Sequence, residues 1–375
     1  VQSTAPQSRP RPAGIGPIGW LRENLFSSVA NTALTVLALW LIYRIVAVTL
    51  DWALFNAVWE GDDGSACAGE HAGACWPYAS AWFGQFMYGR YPDAERWRVD
   101  LTYVLALAGL VPLMIPRVPG KLWTSIYLIA VFPVLAFILL SGGVLGLAHV
   151  ATDFWGGLLV TLVISSAGIA AAFPIGIVLA LGRQSPMPIV RWVSIGFIEF
   201  VRGVPLITVL FMASVMLPLF LPQQWSIDKL LRALIMVALF AGAYLAEVVR
   251  GGLQAIPRGQ FEAADALGLS YVQKMGLIVL PQALKLVIPG IVNSFISLFK
   301  DTSLVLIIGI FDLLGMVQAS LSAPRWLSPA TPMTGYVVAG AIFWAFCFGI
   351  SRYSQMLERR LAAGGQRAVA KGGFD

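Results

Sequence analysis

The chain alternates long apolar runs with short polar connections, and this pattern sets its architecture before any single residue does. Eight runs can be read, at about 28–50, 101–115, 122–140, 154–181, 190–217, 230–249, 284–310 and 335–353. A bilayer core about 30 Å thick takes roughly 20 residues of helix. The second run is the shortest and closes at Pro116. The runs are continuous and lack the inside–outside alternation of a membrane barrel, so they read as helices. The expected fold class is an all-α polytopic membrane protein with about eight transmembrane helices.

Composition supports water as a minor solvent: 58% of residues are hydrophobic and 12% charged, against about 25% charged in a soluble domain. The formal charge of +6 does not point to nucleic acid, because the basic residues sit at the ends of the apolar runs. With the N-terminus inside, the inner segments hold sixteen of them: Arg9, Arg11, Arg22, Arg117, Lys121, Arg183, Arg191, Arg250, Arg258, Lys274, Lys285, Arg352, Arg359, Arg360, Arg367 and Lys371. The outer segments hold six, namely Arg90, Arg96, Arg98, Lys229, Arg232 and Arg325. This bias predicts an N-in, C-in arrangement. The first run, from about Ser28, is long enough to span and so reads as an anchor, not a cleaved signal.

Three regions follow. Residues 1–150 form an accessory block of three spans with an outer loop at 51–100, residues 151–357 carry every polar motif, and 358–375 form an inner tail. The outer loop is acidic, with eight Asp and Glu against three Arg. Cys67 and Cys75 lie in it, where an oxidising compartment permits a disulfide; two free thiols are the plainer alternative. Cys347 reads as an apolar filler, Arg44 as a snorkelling side chain, and Asp312, just past the seventh run, as a residue needing no function. His71 and His149 are far apart in outer loops, so no metal site is expected.

The longest inner loop between spans, 259–281, stands out. Its Glu262–Leu267 stretch favours helix, Gly268 supplies a helix C-terminus, and Ser270 can cap a second short helix running toward Pro281. Ala263, Ala264 and Leu267 then form a shallow apolar face suited to a groove on a partner; a helix floating in the headgroups is the simpler alternative. The spacing Glu262-Ala263-Ala264, then Gly268, then Ile278-Val279-Leu280-Pro281 resembles the EAA signature of ABC-importer permeases. The segments at 200–206, 243–247, 250–252 and 300–304 are similar to the polar amino-acid branch of that family. The resemblance covers roughly 151–357. The family's minimal subunit has five spans, and the longer form with three more resembles the M-type subunit of general L-amino-acid importers.

That resemblance implies a permease in the bacterial inner membrane, with Glu262, Ala263, Ala264, Gly268 and Pro281 in a loop that couples to a separate ATPase. It also implies ATP and Mg on that partner, no cofactor on this chain, two ATPase subunits, a soluble substrate-binding protein, and a second, related permease subunit forming a heterodimer. The expected cargo is an L-amino acid moved by alternating access.

Charges within spans are costly and mark a pathway or a pair. In the fifth run, Glu199 and Arg202 are three apart and able to pair on one helix face, and Gly203 and Pro205 loosen the backbone there. In the seventh, Lys300, Asp301, Thr302 and Ser303 interrupt an apolar helix. A zwitterionic ligand needs an acceptor for its ammonium and donors for its carboxylate, which Asp301, Thr302 and Ser303 supply. The family likewise suggests substrate contacts near Arg202, Gly203, Pro205 and this segment. The alternative is a salt-bridge and hydrogen-bond network that only holds the bundle together. Glu199, Lys300, Glu247 and Arg250 read as structural, the last two anchoring the sixth span at the inner surface.

No phosphate-binding glycine loop, metal-protease helix or Ser-His-Asp set occurs, so no catalytic residues are expected. The competing readings are an ion-coupled secondary transporter, for which no internal repeat is evident, and a channel or scaffold subunit.

Overall fold

The computed structural model describes residues 16–115, 118–220, 222 and 227–371. Arg9, Arg11, Pro116 and Arg117 lie outside the described residues. Among the described residues, seven helices are long and apolar enough to cross a membrane: Val29–Phe55, Asp93–Met114, Lys121–Ser141, Gly157–Arg183, Lys229–Gln254, Ile288–Ile308 and Thr331–Arg360. A bent pair, Pro188–Gly203 and Leu206–Phe220, makes the eighth when counted as one span. Helices account for these spans, and among the described residues the only β pairing is isolated bridges.

Where the boundaries differ from the apolar runs, charge and proline explain it. The second span starts earlier because its charges are satisfied by neighbours. Arg96 pairs with Asp93 and Arg98 with Glu95, both at 2.6 Å, and Asp100 accepts from the Tyr88 hydroxyl at 2.7 Å. The seventh span does not begin at Leu284: the helix breaks at Val287, two residues before Pro289, and resumes at Ile288. The fifth run is not one straight helix but turns by 103° after Gly203. Pro205 bars Val204 from helical conformation, and both residues are extended, at φ −110°, ψ 135° and φ −61°, ψ 139°. A Cβ on Gly203 would meet nothing within 4 Å, so the Val204–Pro205 step makes the bend, not the glycine.

Proline leaves a second mark. A helical proline orphans the carbonyl four residues back and crowds it. Wider π turns occupy Tyr127–Val131, Met212–Met216 and Lys274–Val279, each two residues before a proline: Pro133, Pro218 and Pro281. Each turn contains the carbonyl that its proline orphans, and widening the turn relieves the clash. At Pro218 that carbonyl belongs to Ser214, and it accepts from Arg232 Nη1 at 2.7 Å.

The fourth and sixth spans make the tightest contact. A Cβ on Gly176 would lie 2.7 Å from Leu245 Cβ, and one on Gly242 2.6 Å from Ile175 Cγ2, so small residues set the approach. Two apolar clusters flank this seam. One joins Leu159, Val160 and Ile164 to Leu206, Leu210, Val237, Leu298 and Val305, and also takes in Tyr91, Val99 and Leu140. The other, nearer the inner loops, joins Ala180 and Ile198 to Ala246, Val249, Leu253, Met275 and Val279.

Contacts divide the chain into two compact units, 1–77 with 328–331, and 78–327 with 332–375. In the first, Cys67 and Cys75 form a disulfide with Cα atoms 5.7 Å apart, and Trp59 stacks on Trp76 at 5.9 Å. The first span, capped by Ser28 through Asn31 N–H at 3.1 Å, has no buried residue within that unit.

In the second unit Asp312 is fully buried. It caps the helix Leu313–Ser320 by accepting from Gly315 N–H at 2.8 Å, while its Oδ2 is buried without a partner. Burial pushes its carboxyl up to about 6. A carboxyl raised this far destabilises the fold once ionised: stability is greatest below the unfolded value of 3.8, falls as pH rises to about 6 and stays lower above it. Asp312→Asn keeps a capping oxygen and removes the charge. We expect the variant to gain about 2 kcal/mol over the wild type at pH 8 and little at pH 4, read as unfolding midpoints in one detergent. Equal differences at both pH values would rule this account out.

Candidate functional site

The inner loop is built from local signals. The helix Arg258–Ala266 follows Pro257 and stops at Gly268, whose φ of +71° suits a residue without Cβ. Gly268 N–H donates to the Asp265 carbonyl at 2.9 Å and Leu269 N–H to the Ala264 carbonyl at 3.2 Å, the paired bonds of a Schellman end. Ser270 then opens the next helix with a capping box, its N–H donating to Gln273 Oε1 at 2.9 Å while Gln273 N–H donates to its hydroxyl at 3.4 Å. Lys274 Nζ reaches Asp265 Oδ1 at 2.6 Å across the turn. Pro281 does not close this second helix, which passes through it by the π turn at 274–279.

The loop's two sides differ. Phe261, Met275 and Val279 seat it on the inner apolar cluster. Ala264 is fully buried and so is not part of the shallow outer face expected with Ala263 and Leu267. The outward side instead carries Glu262, Ala263, Leu267, Tyr271 and Val272, with Leu267 75% exposed.

Just before the loop, charges from three spans converge on Glu247 of the sixth span. Arg183, from the end of the fourth span, lies 2.8 Å from both Glu247 Oε1 and Glu199 Oε1. Arg250 reaches Glu247 Oε2 at 2.7 Å, and Arg202 lies 3.8 Å from the same oxygen. Glu199 and Arg202 therefore do not pair with each other, because Arg183 and Glu247 come closer. The Arg202 guanidinium also lies 5.6 Å from the Tyr244 ring centre. The apolar pattern hid Arg183, which reads in sequence as an ordinary basic residue at a span end.

The second polar site lies where the seventh span changes character. The α-helix Ile288–Asp301 becomes a 3₁₀ segment, Thr302–Ile308, which packs against Leu206–Phe211 beyond the bend of the fifth span. The two breaks are thus neighbours. Thr302 is buried, its hydroxyl donating to the Phe299 carbonyl at 2.8 Å, and Ser303 donates to the Lys300 carbonyl at 2.9 Å. No ion pair within 4 Å joins Lys300 to Asp301, and the half-buried Asp301 carboxylate has no hydrogen bond or ion pair among the described residues. No cluster of three or more His, Cys, Asp or Glu side chains suited to a metal occurs among the described residues.

The sequence profile of the "Binding-protein-dependent transport system inner membrane component" family matches residues 172–363, from the middle of the fourth span through the eighth. The chain is 52% identical over 363 residues to the inner membrane amino-acid ABC transporter permease protein YhdY of Escherichia coli K12, covering 95% of this chain and 96% of that protein. It is 41% identical over 423 residues to the glutamate/glutamine/aspartate/asparagine transport system permease protein BztC of Rhodobacter capsulatus, covering 94% and 96%. A crystallised amino acid ABC transporter chain is 29% identical and aligns with a TM-score of 0.48 over 54% of this chain and 92% of its own. With its helical spans and capped inner loop, the chain belongs to this family of inner-membrane components and is a multi-pass amino-acid ABC transporter permease subunit.

Proposed function

We propose that this subunit imports L-amino acids by alternating access, driven by a separate ATPase that docks on the loop 259–281. The observation that carries the reading is that loop itself: a helix fixed at its end by the Schellman bonds, restarted by the capping box, and exposed along Glu262, Ala263, Leu267, Tyr271 and Val272. Two local stop-and-start motifs make it a stiff handle, as transmission of force requires. Ala264 and Gly268 act by shape, the first by allowing close seating and the second by its left-handed backbone. Pro281 acts through the π turn that it imposes.

The handle continues directly into the sixth span, whose Glu247 grips Arg183 of the fourth and stands near Arg202 of the fifth. Movement of the loop would pass through this charge cluster to the half-span Pro188–Gly203, with Val204–Pro205 as its hinge. Beyond the hinge lies the 3₁₀ segment after Asp301, so the same motion would alter access to the mid-membrane groups. Asp301 offers an uncommitted acceptor for a substrate ammonium, and Arg202, on the other side of the hinge and held only at 3.8 Å by Glu247, would offer a donor for its carboxylate once the half-span moves. Ser303 lines the same turn; Thr302, with its proton already given to a carbonyl, serves by holding the turn. Pro205 shapes the break, and Gly203 stands beside it at the end of the half-span.

In this reading the binding protein and ATPases that the family implies work with this chain, ATP and Mg stay on the ATPase, and a related second permease completes a heterodimeric pore. The three N-terminal spans are an added block, 1–150, on a core at 151–357, with 358–375 as an inner tail.

In reconstituted complexes, Glu262→Arg and Gly268→Val should each lower ATP-dependent amino-acid uptake at least tenfold, a change of about 1.4 kcal/mol, while insertion in the membrane persists. Uptake driven by an ion gradient without nucleotide would overturn the scheme. For the binding groups, Asp301→Asn should reduce uptake and substrate-stimulated ATP hydrolysis together, by roughly tenfold for one lost charged contact of about 1.5 kcal/mol. Unchanged uptake would leave Asp301 with a bundle-holding role.

A further inference from the structure

We infer that the face of the seventh span bearing Asn293, Ser297 and Lys300 is the inner leg of the substrate path, which an amino acid follows from Asp301 to the cytoplasm. The inference rests on the import reading above for the direction of travel and for Asp301 as the starting point. In an α-helix, positions i, i+4 and i+7 fall within roughly 60° of one another. Asn293, Ser297 and Lys300 hold those positions in the helix Ile288–Asp301. The opposite side is apolar and committed. Ile291, Leu298 and Phe299 are buried, Leu298 packs in the cluster with the fourth and sixth spans, and the Phe299 ring meets those of Phe343 and Phe346 in the last span, each at 5.4 Å. The polar side is uncommitted. Asn293 and Lys300 are exposed and Ser297 is half-buried, with its hydroxyl open to solvent. Among the described residues, none of these three side chains has a hydrogen bond or ion pair. This is the reverse of a span that faces lipid, such as the last, whose exposed side carries Trp344 and Phe348.

Depth makes the stripe informative. Lys300 is twelve residues beyond Ile288, so roughly 18 Å into a hydrocarbon core about 30 Å thick. That is too deep for its stem to carry the ammonium out to either surface. An amide, a hydroxyl and an ammonium in a row cannot face lipid without large cost, so the face meets water or protein. The lysine favours water: its ammonium is a strongly hydrated point charge, and a dry contact would need a carboxylate set against it. Asp301, the next residue and itself uncommitted, continues the same polar region upward. Passing inward from Asp301, the stripe offers an ammonium, a hydroxyl and then an amide. All three donate to a carboxylate, and the last two also accept from an ammonium. A zwitterion can therefore be handed along in short steps with neither of its charges left bare. Asn293, five residues from Ile288, brings the path to roughly 8 Å from the start of the span.

The test is thiol labelling of the assembled complex in inside-out membrane vesicles without nucleotide. Asn293→Cys, Ser297→Cys, Lys300→Cys and, as a lipid-facing control, Trp344→Cys are each combined with Cys347→Ala. The probe is a permanently charged ammonium methanethiosulfonate, which enters neither lipid nor a dry contact. The three stripe positions should react about tenfold or more faster than the control, because a hydrated thiol ionises and one in apolar surroundings does not. Once labelled, Asn293→Cys and Ser297→Cys should fall to about a tenth of their unlabelled uptake, a barrier raised by one decade in rate, while labelled Trp344→Cys keeps its own. Reaction at the control rate at all three positions would overturn the inference, because the face is then sealed by lipid or by the second permease. Labelling that leaves uptake unchanged would overturn it too, by making the face a wet crevice beside the path. Ser297→Cys is nearly isosteric, so the test does not depend on variants that disturb packing. Labelling needs neither substrate nor ATP, so failure of the ATP-driven scheme shows separately, as absent uptake before any label is added.

Discussion

A peptide group left without a partner in hydrocarbon costs several kcal/mol, and this constraint organises the whole chain. Helix is the default because it satisfies every such group within the segment. The departures from α-helix are therefore the informative places, and several are made by proline. At Pro133, Pro218 and Pro281 the preceding turn widens, whereas Pro112 and Pro174 sit in uninterrupted helix, and at Ser214 the freed carbonyl is met by Arg232 from the neighbouring span. At Pro205 widening is not enough: two extended residues turn the chain by 103°. The second large departure, after Asp301, packs against the segment beyond that bend. Backbone disorder in a membrane is tolerable where protein or water covers it, and two breaks covering each other meet that condition.

The charge cluster at Glu247 answers a related difficulty. Arg183, Arg202 and Arg250 face Glu199 and Glu247, which leaves one net positive charge at the inner end of the bundle. That sign suits the inner surface, and the side chains are only partly buried, so the desolvation cost of a deep ion pair is avoided. The consequence is mechanical as much as electrostatic. The half-span Pro188–Gly203 is joined covalently to its continuation by a sharp bend, so the contacts of Glu199 and Arg202, beside that bend, with spans four and six determine where it points.

How much of this was legible in sequence depends on the range of the interaction. The spans, their orientation and the capped inner loop rest on patterns of a few residues, and hydropathy, Gly268 and Ser270 announced them. The bend at Pro205 is half legible: the proline predicts a loosened backbone, yet the run is apolar on both sides and reads as one helix. The second span reads as starting at Leu101 because the apolar run starts there; the helix takes in Arg96, Arg98 and Asp100 only because partners in space, including Tyr88 and Glu95, satisfy them. Pairing of Glu199 with Arg202 followed from helical spacing, but Arg183, sixteen residues away, comes to 2.8 Å. Ala264 reads as part of the outward face because no local rule says which side of a short amphipathic helix meets the bundle. Asp312 looked idle just past a span and is a buried cap.

These contrasts also bear on where the added segment ends and the permease begins. Sequence motifs start near residue 151, whereas contacts divide the chain at Pro77. The difference is physical. Residues 78–150 carry none of the polar motifs, but Tyr91, Val99, Leu140 and Val150 share one apolar cluster with the fourth, sixth and seventh spans. Tyr78 bonds to Ser320 and stacks edge-on against Trp326. The Gly89–Trp155 and Gly157–Asp312 bridges then run backbone to backbone through the same junction. Surfaces that interlock through glycine backbone leave no room for sliding, since a Cβ at Gly157 would lie 2.4 Å from the Phe86 carbonyl oxygen. A segment held this closely moves with the spans that it touches, so any rearrangement of their outer ends must carry residues 78–150 with it.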